Sequence, residues 1–93
     1  MTGPDQSWRR RAACKGIPLW LFYGSEGERA DQTRAREARA IAVCDRCPVA
    51  DLCLLDDITR TQPSDIVGIR AGRTATARRS YRRRWLDREA AAA

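Results

Sequence analysis

Four cysteines, Cys14, Cys44, Cys47 and Cys53, and the lack of any histidine constrain this chain more than any other feature. Their spacing is Cys14-x29-Cys44-x2-Cys47-x5-Cys53. The Cys44/Cys47 pair lets one short loop present two thiolates to the same centre. Cys53 lies on the segment that follows and can point back, whereas Cys14 arrives from a remote stretch. A chain of 93 residues is one domain at most and buries only a modest fraction of its surface. Its large core-forming aromatics are three Trp, two Tyr and one Phe, and much of its 43% hydrophobic content is alanine, which buries little area. A staple is therefore expected, and one that joins Cys14 to the middle of the chain closes a long loop.

Without histidine, a mixed Cys/His zinc site and histidine acid–base catalysis are both excluded. Four thiolates suit tetrahedral zinc or a cubane iron–sulfur cluster. Zinc sites built only from cysteine usually come as two short pairs, and here there is one pair with two single cysteines. Pro48, directly after Cys47, matches the Cys-Pro element of bacterial ferredoxin runs. The spacing thus favours iron–sulfur, with a zinc-stapled nucleic-acid-binding module as the alternative. Met1 to Ser7 is polar, and Arg9, Arg10 and Arg11 precede no long apolar run, so no secretory leader is expected. Ile17 to Tyr23 is interrupted by Pro18 and is too short to span a membrane. The expected compartment is the cytoplasm, where two disulfides or four buried free thiols are the weaker reading. Cys44-x2-Cys47 alone also admits a thiol–disulfide oxidoreductase, but that chemistry needs a βαβ context and these surroundings are helical. Ser7, Ser25, Ser64 and Ser80 have no nucleophile setting. Asp56-Asp57 has no His or Lys partner and reads as the solvated end of a helix. No enzyme activity is expected.

Residues 1–7 are expected to be disordered, 8–73 to form the metal-binding domain, and 74–93 to form a basic C-terminal helix with a frayed tail. Trp8 to Cys14 suits a short helix. Lys15 to Glu28 reads as a loop, with Trp20, Phe22 and Tyr23 as core and cluster shield. Arg29 to Val43 is helix-forming, with Ala35, Ala38, Ile41 and Ala42 on its apolar face. Pro48 suits the first turn of a helix to about Thr59 that turns Val49, Leu52, Cys53 and Asp56 inward. Gln62 to Ser64 is a break, and Gly68 to Gly72 predicts a tight turn or short hairpin. Thr74 or Thr76 then caps a last helix to about Ala90. Up to Val67 the chain has ten basic and ten acidic residues; from Gly68 onward there are eight Arg against Asp87 and Glu89, so the tail carries the whole net charge of +6. Arg78/Arg82 and Arg79/Arg83 form i,i+4 stripes beside an apolar stripe of Ala77, Tyr81 and Trp85. Arg70, Arg73, Arg78, Arg79, Arg82, Arg83 and Arg84 are the candidate contacts to double-stranded DNA, mainly through phosphates.

From about Trp8 to Arg84 the chain resembles the WhiB-like family of bacterial transcription regulators. The residues that carry the resemblance are Trp8…Ala13-Cys14, Leu19-Trp20-Leu21-Phe22, Ala40 to Val49 with its Cys44-Asp45-Arg46-Cys47-Pro48 core, Leu52-Cys53-Leu54, and Gly68-Ile69-Arg70-Ala71-Gly72 before a basic segment. The resemblance implies an all-α fold, a small bundle of about four short helices caged around one [4Fe–4S] cluster held by Cys14, Cys44, Cys47 and Cys53, with a tight Gly-containing turn before the last basic helix. It implies association with the primary sigma factor through region 4, DNA contact by the tail, and a cluster that senses oxygen, nitric oxide or redox state. Trp8, Trp20, Phe22, Gly68, Ile69 and Gly72 are then the residues of partner binding and cluster shielding. The family's turn is usually Gly-Val-Trp-Gly-Gly. Here Ile69, Arg70 and Ala71 stand at the Val, Trp and first following Gly.

Overall fold

The computed structural model describes residues 6–93; residues 1–5, most of the segment expected to be disordered, lie outside the described residues. Of that segment, Ser7 already opens a 3-10 helix, Ser7–Arg11, and the Gln6 amide donates to Asp56 Oδ1 at 3.4 Å. Four α-helices follow: α1 (Trp20–Tyr23), α2 (Ala30–Asp45), α3 (Ala50–Arg60) and α4 (Ala75–Ala92), with a second 3-10 turn at Pro63–Asp65. The fold is all-α, as expected, and the isolated antiparallel bridge Arg70↔Arg73 is the one β element among the described residues.

Each boundary has a local cause. α1 lies inside the stretch expected to be loop. Pro18 C=O accepts the Leu21 N–H at 3.2 Å to start it, and Gly24, at φ 82°, ends it while donating to Trp20 C=O at 2.8 Å. At the start of α2, Gln32 Oε1 accepts the Arg29 N–H at 3.0 Å, which satisfies a donor at the helix entrance. α3 starts later than expected: Val49 is its N-cap, so Pro48 lies in the turn before the helix rather than in its first turn. Thr74 caps α4, its Oγ1 accepting from Ala77 N–H at 3.2 Å. Between α3 and α4, Arg70 and Arg73 exchange backbone hydrogen bonds of 3.2 and 3.0 Å around Ala71 (φ 55°) and Gly72 (φ 71°). Two left-handed central residues are the mark of a two-residue hairpin turn.

The core cluster is Leu21 and Phe22 of α1, Ala40 and Val43 of α2, and Ile69 of the turn. Ile69 N–H donates to Phe22 C=O at 2.9 Å, pinning the turn to α1. α1 packs on α2 and α3 on α4. Of the apolar face expected on α2, Ile41 is half-buried against the core cluster, but Ala35, Ala38 and Ala42 are exposed, and Arg36, Ala40 and Val43 are the buried residues. Arg36 goes inward because Glu28 Oε2 (2.7 Å) and Leu21 C=O (2.9 Å) take its guanidinium protons. Leu52, expected inside, is exposed, and Leu54, Asp56, Asp57 and Ile58 are the buried residues of α3.

Candidate metal centre

All four cysteines line one cavity of about 410 Å³. Cys14 comes from the turn after the first 3-10 helix, Cys44 from the last turn of α2, Cys47 from the α2–α3 connection and Cys53 from the first turns of α3. The bend between α2 and α3 is closed by Cys47 N–H donating to Cys44 C=O at 3.0 Å, which folds the Cys44-x2-Cys47 loop so that both thiols face the same space. Of the expected shield residues, Trp8, Phe22, Tyr23 and Ile69 line the cavity. Trp20 does not; it is half-exposed. Gly68 lies under α1 where a Cβ would come within 2.5 Å of Tyr23 Cδ1, so only glycine lets the turn approach that closely. Gly72 places its backbone against Cys44, with a Cβ position 3.5 Å from Cys44 Cβ.

The donor chemistry fits a thiolate-ligated metal group. Besides the thiols and apolar side chains, the cavity wall carries four cations, Arg9, Arg10, Lys15 and Arg70, and no carboxylate. Such a wall suits an anionic metal–thiolate centre and not a hard, oxygen-ligated ion. Among the described residues, no three Cys, Asp or Glu side chains converge on one point as a lone ion requires; the sulfurs ring the cavity. Backbone donors are aimed at them: Ala13 N–H reaches Cys47 Sγ at 3.4 Å, and Gly72 N–H bonds Cys44. Burial, with repulsion from neighbouring cysteines, pushes the Cys14 thiol up; Arg70 pulls against that rise. Burial pushes Cys44 up as well, opposed first by the Gly72 N–H.

Behind the cavity lies a charged network that departs from the sequence reading. Asp56 and Asp57, read as a solvated pair, are buried, Asp57 to 1% exposure; for Asp56 the helical spacing that turns it inward is the better guide. Arg70 donates Nη1 to Asp57 Oδ1 at 3.0 Å and Nη2 to Asp56 Oδ2 at 3.2 Å. Arg78, at 0% exposure, donates Nε to the other oxygen of Asp57 at 2.6 Å, and its remaining donors go to the carbonyls of Val67, Gly68 and Arg73. Arg9 and Arg60 close the outer side of Asp56 at 2.9 and 3.2 Å. Burial raises the Asp56 pKa, but the hydrogen bond and charge of Arg70, then the charge of Arg9, outweigh it and hold the carboxyl below its ordinary value. The signal for this network was an acidic doublet on a helix followed by an excess of arginine, legible only once the turn brings the two together.

This network sorts the tail arginines. Arg78, expected to meet DNA, is instead the buried anchor of α4, because four of its five donors are occupied inside the protein. Arg70 is mostly covered and paired. Arg79 is exposed yet donates to Ile66 C=O at 2.6 Å. Arg82 is half-buried, its Nε enclosed without a hydrogen-bond partner. Arg73, Arg83 and Arg84 are exposed, as is Arg88, a turn beyond Arg84 that sequence reasoning passed over. The apolar stripe expected to dock α4 is only partly used: Tyr81 and Trp85 are half-buried and Ala77 is exposed. Arg73 and Arg84 lie over the Tyr81 ring, 5.2 and 5.9 Å from its centroid. None of the described helices is long and apolar enough to cross a membrane.

Residues 8–81 match the family described as transcription factor WhiB. The transcriptional regulator WhiD of Streptomyces coelicolor is 37% identical over 71 residues, which cover 73% of this chain and 63% of WhiD. The redox- and pH-responsive transcriptional regulator WhiB3 of Mycobacterium tuberculosis is 31% identical over 71 residues, 73% of this chain and 70% of that protein. The redox-responsive transcriptional regulator WhiB3 of Mycolicibacterium smegmatis has the same identity and covers 74% of its own length. The chain thus spans slightly less than two thirds of the Streptomyces relative.

Proposed function

This chain belongs to the WhiB family of transcription factors, and on that footing we propose that it is a redox-responsive transcription regulator carrying one [4Fe–4S] cluster on Cys14, Cys44, Cys47 and Cys53. The observation that carries the reading is the cavity wall: four thiols from four segments, four cations and no carboxylate around about 410 Å³. A bound cluster supplies one-electron redox chemistry and reactivity toward oxygen and nitric oxide. The protein's own part is to hold and shield it. Trp8, Phe22 and Ile69 exclude water from the wall, while the N–H groups of Ala13 and Gly72 donate to Cys47 and Cys44 and so steady the thiolates.

The partners follow from the two ends of the molecule. The apolar surface at α1 and the turn, where Leu19, Trp20, Tyr23 and Val67 are exposed beside the cavity, is the face offered to region 4 of the primary sigma factor. Arg73, Arg83, Arg84 and Arg88 are the exposed charges offered to double-stranded DNA, with Arg79 and Arg82 at the margin. Oxygen-free purification with iron and sulfide analysis and an absorption spectrum tests the cluster. About four irons and four sulfides per chain in a brown protein are expected; a colourless protein with a single zinc overturns the reading. Co-purification with the primary sigma factor, with the cluster intact, tests the first partner.

A further inference from the structure

The cavity wall and the buried carboxylates share two residues, Arg9 and Arg70, and Arg70 is the one held by both carboxylates. Arg70 lines the cavity together with Cys53, and its two terminal nitrogens are fixed by Asp56 and Asp57, which belong to the same helix as Cys53. A guanidinium held at both ends cannot swing to solvent, so its charge is preorganised against the Cys53 corner of the site. The carboxylates do not cancel that charge. Among the described residues, Arg9, Arg60, Arg70 and Arg78 face two carboxylates in this network, which leaves an excess of positive charge. Of the four, Arg78 is spent on Asp57 and three carbonyls, and Arg60 lies away from the cavity. Arg70 is the one bound to both carboxylates that also stands in the wall.

We propose that Arg70 is a positioning residue that holds fixed positive charge against the Cys53 ligand and thereby raises the reduction potential of the metal centre. This rests on the cluster reading above. When the centre takes one electron from an external reductant, its negative charge grows, no bond to the protein breaks, and no proton is required. A nearby immobile cation stabilises the reduced form more than the oxidised one. The direction is supported by placement: Arg70 lines the same cavity as Cys53, and its ion pairs to Asp56 and Asp57 keep the guanidinium there. The turn's geometry is part of the device: the Arg70–Arg73 bridge sets the backbone from which the side chain reaches α3.

The test is a mediated dithionite titration of the full chain, purified without oxygen, followed by its visible spectrum and electron paramagnetic resonance. Parent, Arg70→Gln, Arg70→Lys and Arg60→Gln are compared. Arg60→Gln removes a cation from the same carboxylate without touching the wall, and its midpoint should coincide with the parent's. Arg70→Gln should titrate at a lower potential, outside the spread of replicates. If a loaded Arg70→Gln titrates with the parent, or if Arg60→Gln shifts as far, the inference falls and the cluster reading stands. If Arg70→Gln takes up no cluster, Arg70→Lys decides. Loading at the parent's potential supports the charge role, whereas failure to load, or loading at a shifted potential, overturns it. A parent that carries zinc or no metal overturns the cluster reading, and this inference with it.

Discussion

Ala71 has φ 55°, a left-handed conformation that costs a Cβ-bearing residue roughly 1–2 kcal/mol. Glycine removes that strain but adds freedom to the unfolded chain, so Ala71→Gly should stabilise by about 0.5–1 kcal/mol, read as a rise in the urea midpoint at unchanged slope. Asp57 is the opposite case. It takes Arg70 on one oxygen and Arg78 on the other, in a region closed to water. Asp57→Asn leaves two buried guanidinium groups short of a counter-charge and should cost about 3–5 kcal/mol, a large part of the stability of a small domain. Asp56 sets a pH signature. Its folded pKa is depressed, so the stabilisation is fully present above the unfolded carboxylate value near 3.9 and disappears as pH falls toward the lower folded value. Urea midpoints should therefore decline below about pH 4, and Asp56→Asn should show a shallower decline over the same window.

At the scale of elements, α4 is a helix of two uses. Its first turn is capped by Thr74 and bound into the protein by Arg78, and the exposed arginines lie mainly beyond that anchor. Like-charged residues crowded on one helix repel each other, and phosphate contact relieves that repulsion while releasing counterions. Replacing both Arg83 and Arg84 with Ala should weaken binding to unrelated duplexes alike and flatten the log–log salt slope by about 1–2 units, measured by fluorescence anisotropy. Binding that matches the parent at every salt concentration would make these residues a solvated face. The helix itself should persist in that variant, because the anchor is elsewhere. The extent of α4 was legible in its uninterrupted Ala/Arg composition. Its inward face was not, since a rule that sends arginine to water places Arg78 outside, and only the Asp57 carboxylate and three carbonyls reverse that.

For the whole molecule, the metal centre joins what the small core leaves loosely connected. Among the described residues the buried apolar side chains are Leu21, Phe22, Ala40, Val43, Val49, Leu54, Ile58, Ile66 and Ile69, a modest core for a chain of 93 residues. The N-terminal 3-10 segment and Cys14 meet α2 and α3 through the cavity, the Ala13 N–H to Cys47 bond and the Arg9 and Gln6 contacts to Asp56. Cys→Ser at any one of Cys14, Cys44, Cys47 or Cys53 should lose the cluster together with much of the helical circular dichroism. A variant that keeps both takes its residue out of the ligand set.

The all-α class, the four thiols, the breaks near positions 24 and 62 and the basic tail could be read directly from the chain. Each depends on residues close in sequence or on a composition that excludes the alternatives: no histidine, few strand-forming runs, and glycine or proline at the breaks. The burial of Asp57, Arg36 and Arg78 could not be read that way, nor could Arg70's place in the cavity wall. A charged side chain goes inside only when a distant segment supplies its counter-charge and hydrogen bonds, and here those partners lie 13 and 21 residues from Asp57 and 14 residues from Asp56. Whether an arginine faces a phosphate, a carboxylate or a thiolate is thus decided by the turn at Ala71–Gly72 and the packing of α3 on α4, because electrostatic pairing depends on distance in space and not along the chain.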